Sequence, residues 1–161
     1  MSTTYEQRGA AKRARQHSLI PVEWRLTAIP SIESEPNALE YIRNAHLLTA
    51  RELAITETTE VTTLLRQLAR RELSSLDVTR AFAKRTAIAH QLTTCCTEIF
   101  FEQAFEQASM LDDVLARTGR TVGPLHGLPV SIKDLFDVKG VDTSIGVYMK
   151  PPFLSFWDIK S

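Results

Sequence analysis

Cysteine is almost missing from this sequence: Cys95 and Cys96 are the only two in 161 residues. Two neighbours cannot build a disulfide framework, and no histidine or cysteine stands at the spacing of a zinc motif, so neither a metal nor a cofactor is expected. So few thiols fit a reducing, intracellular compartment, and a cytoplasmic location is expected. Net charge is also lacking, with 19 basic and 19 acidic side chains. No broad electrostatic attraction to nucleic acid or to an anionic membrane follows from that balance. No apolar run approaches the roughly 20 residues that span a bilayer. A nucleophile elbow, a phosphate loop and a dinucleotide fingerprint are all missing. Internal repeats and low-complexity tracts are missing too. Glycine is scarce, and five of the six glycines lie between Gly119 and Gly146.

What remains is mostly helical text. Residues 1–18 are polar and are expected to be unordered. Their basic run, Lys12-Arg13-Ala14-Arg15, reads as a solvated terminus rather than a targeting address, and Glu6 weighs against a transit peptide. From Leu19 to Ile32 the chain is apolar but interrupted by Pro21 and Pro30, which forbids a long helix. Such a segment is expected to wrap over a larger body. Residues 31–37 read as a loop.

Helix signals begin at Thr49, which with Glu52 forms a capping-box pattern. A short helix to about Ile55 is predicted. A second, from about Thr58 to Arg71, carries Val61, Leu64, Leu65 and Leu68 on one stripe. Ser74 with Asp77 starts a third, through about Gln91, with Val78, Phe82, Ile88 and Leu92 on its face. Thr97 to Phe100 reads as a short strand. A fourth helix runs from Glu102 to about Arg117, with Phe101, Ala104, Phe105, Ala108, Leu111 and Leu115 at helical spacing. Gly119 stands where a left-handed C-cap is expected.

Beyond Gly119 the pattern changes. Gly123-Pro124-Leu125-His126-Gly127-Leu128-Pro129 reads as a turn, and Val130-Ser131-Ile132-Lys133 alternates like a strand. Val130 and Ile132 point one way, Ser131 and Lys133 the other. A second turn is expected at Lys139-Gly140. Helices come first, then the beginning of a sheet whose faces so few strands cannot bury unaided.

Lys133 is the candidate catalytic residue. By residue type alone, a lysine at a strand end is more often a solvated charge. The functional alternative needs its amine drawn into a closed site, where desolvation favours the neutral base. Such a lysine can activate a serine. His126 reads as a turn histidine bonding its neighbours. Asp112 and Asp113 read as a solvated helix face, because adjacent acids on a helix diverge. Asp134 and Asp137 either orient the lysine or are ordinary turn residues.

The run from Gly123 to Gly146 resembles the amidase-signature family, and most of all its fungal acetamidase and general-amidase branch. Upstream, Leu48 to Glu57, Ala81 to Thr93, Thr97-Glu98-Ile99 and Pro21 to Arg25 resemble the same branch. The resemblance covers residues 19 to 147. It implies an α/β enzyme with a mixed-sheet α/β/α fold, of which this chain holds the helical amino-terminal part and the first strands. It implies hydrolysis of small-molecule carboxamides by a serine, a bridging serine in a cis peptide, and a lysine. The family's lysine motif, a glycine-hydrophobic-proline-hydrophobic-serine-hydrophobic-lysine-acid pattern, falls on Gly127 to Asp134 and puts the catalytic lysine at Lys133.

The serine-bearing, glycine-rich segment of the family has no counterpart after Lys133. The expected division is therefore an unordered 1–18, the amino-terminal portion of an amidase domain over 19–153, and a tail at 154–161 that departs from the family. Premature termination or an unspliced intron would produce such a tail. The 161 residues alone are expected to be inactive. The alternatives are a non-catalytic helical binding module, a truncated product, or the amide-hydrolysing subunit of an amidotransferase. The amide substrate and the oligomeric state are not readable from the sequence.

Overall fold

The computed structural model describes residues 4–31, 33–34, 37–136 and 138–140. Six α-helices occur among them: α1 (Tyr5–Ser18), α2 (Ala38–Asn44), α3 (Ala50–Thr56), α4 (Val61–Ala69), α5 (Ser75–Thr93) and α6 (Phe101–Thr118). A single 3₁₀ turn lies at Val22–Trp24.

Helix α5 is the axis of the fold, with α2, α3 and α6 packed against it. Its sequence explains that position. Val78, Ala81, Ala87 and Ile88 are 0–1% exposed, and Ala83 is also buried. Three buried alanines keep the helix surface low, so neighbours approach closely and large side chains from outside fill the gaps. Ile55, Leu64 and Leu68 do so at the amino-terminal end of α5, beside Val78 and Ala81. Ile42 and Leu48 pack on Ile88 further along. Ile20 meets Ala87 and Ile99. Each fully buried Val, Leu or Ile contributes roughly 1.5–3 kcal/mol.

The helix ends follow local chemistry. Thr49 and Glu52 close the predicted capping box, with the Thr49 N–H donating to Glu52 Oε2 at 2.7 Å and the Glu52 N–H donating to Thr49 Oγ1 at 3.2 Å. Ser74 Oγ accepts from the Asp77 N–H at 2.9 Å. Gly119 ends α6 in the left-handed region at φ 65°.

The expectation of an unordered 1–18 is corrected by α1. Thr4 and Gln7 form a second capping box, and no residue of α1 is buried. The helix is held by polar contacts to a distant loop. Gln16 Nε2 donates to the Cys96 carbonyl at 3.1 Å and to the Thr97 carbonyl at 2.8 Å, and the Lys12 ammonium pairs with Glu98. Helix α2 was also not foreseen; Asn37 Oδ1 caps it by accepting from the N–H groups of Leu39 and Glu40.

The Pro-punctuated segment does wrap over the helices. The Trp24 ring meets Phe101 and Phe105 edge-on, at centroid distances of 6.0 and 6.2 Å. Gln91 Oε1 accepts from the Leu26 N–H at 2.8 Å, and Gln91 Nε2 donates to the Trp24 carbonyl at 2.9 Å.

The two short strands expected from the sequence, at Thr97–Phe100 and Val130–Lys133, are not strands here, and the described residues hold no strand at all. A strand exists only by pairing, and neither segment has a partner strand among the described residues. Asp137 and residues 141–161, including Thr143 to Gly146 and the expected tail, lie outside the described residues.

Candidate active site

The glycine-rich motif has two halves with different environments. Its first half is docked. His126 is 4% exposed, and its backbone N–H closes a turn on the Gly123 carbonyl at 3.2 Å. Its Nδ1 accepts from the Val122 N–H at 3.3 Å, as expected of a turn histidine. The Leu128 N–H closes the next turn on the Leu125 carbonyl at 3.1 Å. Leu128 then inserts against the cluster of Ile55, Leu64, Leu68, Val78 and Ala81.

Gly127 has φ 75° and lies against the start of α5: a Cβ there would sit 3.0 Å from Ser75 Cβ and 3.2 Å from Leu68 Cδ2. Only glycine suits both the dihedral and the space. Ser75 Oγ and His126 Nε2 are buried without a hydrogen-bond partner among the described residues.

The second half is largely exposed. Val130 is 65% exposed and Ile132 49%, and Ser131 and Lys133 are exposed as well. All four residues of the stretch expected to alternate are therefore exposed, and the alternation itself is not shown. The Lys133 carbonyl accepts from the N–H groups of Leu135 at 2.7 Å and Phe136 at 3.1 Å, which turns the chain immediately after the lysine. Lys133 thus sits at the crest of a turn, in solvent. The described residues do not form the closed site that the sequence reading requires around it.

Asp112 is not part of a solvated face. Its carboxylate accepts from the Ser75 N–H at 2.7 Å and the Leu76 N–H at 3.0 Å. Two of the orphan donors at the start of α5 are satisfied from α6, and the anion lies at the positive end of the helix dipole. Asp113, one residue on, is exposed. Asp112 therefore holds α5 where the docked half of the motif sits upon it.

A second polar centre joins α3 to α5. Lys84 Nζ bonds both Glu52 oxygens, at 3.2 and 3.0 Å. Burial pushes the Glu52 carboxyl up, but the Thr49 N–H and the Lys84 ammonium outweigh it and leave it below its ordinary value. Arg43 donates to Glu57 at 2.6 Å, and Arg85 lies 3.6 Å from the same carboxylate. That hydrogen bond from Arg43 is the main cause of the lowered Glu57 carboxyl.

A third centre was not foreseen. Helix α5 ends at Thr94, which is left-handed at φ 51°, and its N–H returns to the His90 carbonyl at 2.7 Å. The reversal brings the next residues back over the last turn. The Cys96 N–H donates to His90 Nδ1 at 3.1 Å, and the Cys95 and Cys96 sulfurs lie 3.9 Å apart. Burial lowers the His90 imidazole from its usual value. Burial, with Cys95 beside it, pushes the Cys96 thiol up to about 12. No zinc-type spacing announces this grouping, because the juxtaposition depends on a left-handed threonine, which residue preferences disfavour.

Comparison with known proteins identifies the group to which this arrangement belongs. The family model described as Amidase matches residues 77–158, just over half of the chain. The chain belongs to the amidase family. That match begins on α5, takes in the docked turn and Lys133, and runs into residues 154–158 of the expected tail. An amidase of Gibberella moniliformis is 48% identical over 139 residues, covering 84% of this chain and 26% of that protein. An acetamidase of Emericella nidulans is 44% identical over 146 residues, covering 91% and 26%. Among solved structures, a fatty acid amide hydrolase matches with a TM-score of 0.71 and 36% identity, covering 78% of this chain and 22% of that one. The helical arrangement is thus that of an amidase, and the chain spans about a quarter of the length of its relatives.

Proposed function

We propose that this chain supplies the amino-terminal part of a hydrolase acting on the carbon–nitrogen bond of small carboxamides, and that Lys133 is its catalytic lysine. The observation that carries this reading is the contrast within the motif. Gly127 and Leu128 are fixed on α4 and α5, while Lys133 emerges a few residues later between exposed apolar side chains. A lysine on an anchored turn, flanked by Val130 and Ile132, is one that further protein can cover. Covering it removes water and favours the neutral amine over the cation.

The chemistry follows the family resemblance. Neutral Lys133 takes the proton of a bridging serine, which takes the proton of a nucleophilic serine. The nucleophile attacks the amide carbonyl, and backbone N–H groups hold the resulting oxyanion. The proton returns to the departing amine as the carbon–nitrogen bond breaks. Water then enters by the same relay and releases the carboxylic acid. Neither serine of that relay has a counterpart in the 161 residues, which therefore do not turn over an amide by themselves.

The test is complementation. Residues 1–153 are fused in place of the corresponding amino-terminal quarter of the Emericella nidulans acetamidase, and ammonia release from acetamide is measured. The reading requires a fused enzyme within about tenfold of the parent and no release from the 161-residue chain alone. A soluble fused protein without activity, or hydrolysis by the isolated chain, would refute it.

A further inference from the structure

The geometry points to a cation site at the carboxyl end of α5, in which His90, Cys95 and Cys96 bind a thiophilic divalent metal ion of the Zn²⁺ class. This is independent of the amide-hydrolysing reading and uses none of its residues.

The three side chains converge, with one ligand atom from each lying within 4.8 Å of the others. Their sulfurs are 3.9 Å apart. Two thiolates on one tetrahedral zinc, each at about 2.3 Å, stand about 3.8 Å from one another. The pair is therefore already at co-ligation distance. It is poorly placed to form a disulfide. Adjacent residues across a trans peptide have Cα atoms about 3.8 Å apart, below the roughly 4.4 Å at which ordinary disulfides begin. Two sulfurs and an imidazole form a soft donor set, which selects zinc-like ions over calcium or magnesium.

The imidazole is ready to ligate. His90 Nδ1 accepts a hydrogen bond, so it carries a lone pair rather than a proton. A metal ion would replace the Cys96 N–H as its partner, and the two thiols would give up their protons. Cys95 is exposed, which opens a route of entry and leaves the fourth position to water.

The loop that carries the sulfurs is braced from outside. Gln16 holds the carbonyls of Cys96 and Thr97, and Lys12 holds Glu98. The left-handed Thr94 fixes its entry. Such outer support keeps ligands oriented, and losing it in known sites costs about 10–100-fold in affinity.

The experiment titrates Co²⁺ into the reduced 161-residue chain, following the thiolate-to-cobalt charge-transfer band, and then displaces it with Zn²⁺. One equivalent is expected to saturate the band. Cys95→Ser and Cys96→Ser should each weaken binding by about tenfold or more. Cys95 is exposed, so its replacement leaves the fold intact. The His90 ring resonances should shift with the first equivalent of Zn²⁺, a readout that needs no substitution in the buried imidazole. Absence of a charge-transfer band, wild-type affinity in Cys95→Ser, or unmoved His90 resonances would each overturn the assignment.

Discussion

Gly127 rests directly on Ser75: the first residue of α5 leaves no room for a side chain on the glycine that precedes the lysine-bearing segment. That contact transmits the position of a helix to the motif. Gly127→Ala adds a methyl group at φ 75°, against Ser75 and Leu68. The left-handed conformation costs about 1–2 kcal/mol and the overpacking about 1–3. A loss of about 2–5 kcal/mol is expected in urea unfolding. Adding Ser75→Ala should recover part of it, with a coupling energy of at least about 0.5 kcal/mol.

Asp112 and Asp113 should behave as opposites despite being neighbours. Asp112 caps α5 through two N–H groups, so Asp112→Ala is expected to cost about 1–2 kcal/mol. Asp113 is exposed, and Asp113→Ala should stay within about 0.5 kcal/mol. Thermal unfolding of the two variants side by side tests this.

Glu52 should give the chain a definite acid response. Its carboxyl titrates below the ordinary 4.5 in the folded chain. The unfolded state therefore binds more protons in that window, and stability rises with pH there. The contribution is fully present above about pH 4.5 and is lost as pH falls through the lower, folded value. Glu52→Gln should flatten the dependence of stability on pH below 4.5 and leave it unchanged above pH 6. An unchanged acid slope would contradict the role of the Thr49–Glu52–Lys84 centre.

Helix α1 should detach without the rest unfolding, because it buries no residue and is held by side-chain contacts to residues 96–98. Gln16→Ala is expected to raise amide hydrogen exchange across Tyr5–Ser18 by several-fold, while α5 keeps its protection. Equal loss of protection in both helices would show that α1 is part of the core.

The features that proved legible in the sequence are those whose partners lie within one helical turn. Thr49 with Glu52, Ser74 with Asp77 and Gly119 each satisfy a backbone group three or four residues away, and the helices they bound were readable from spacing. Asp112 was misread because its donors are some 36 residues back, on another helix. Helix α1 was missed although Thr4 and Gln7 are local, because its few apolar residues suggested no packed face and its anchors are eighty residues distant. The grouping of His90 with the two cysteines depends on a left-handed threonine that no pattern announces. The motif points to Lys133, but the surroundings of that residue are not legible in it. Val130 and Ile132 alternate as a strand would, and the partner that would make them one is not among the described residues.

The amine of Lys133 bears the account, and replacing it in the fused acetamidase described above is the direct measurement. With Lys133→Met, ammonia release from acetamide is predicted to fall by about 10⁴ in kcat, as when a member of a catalytic relay is removed. A variant that folds and keeps turnover within tenfold of its parent would contradict the assignment.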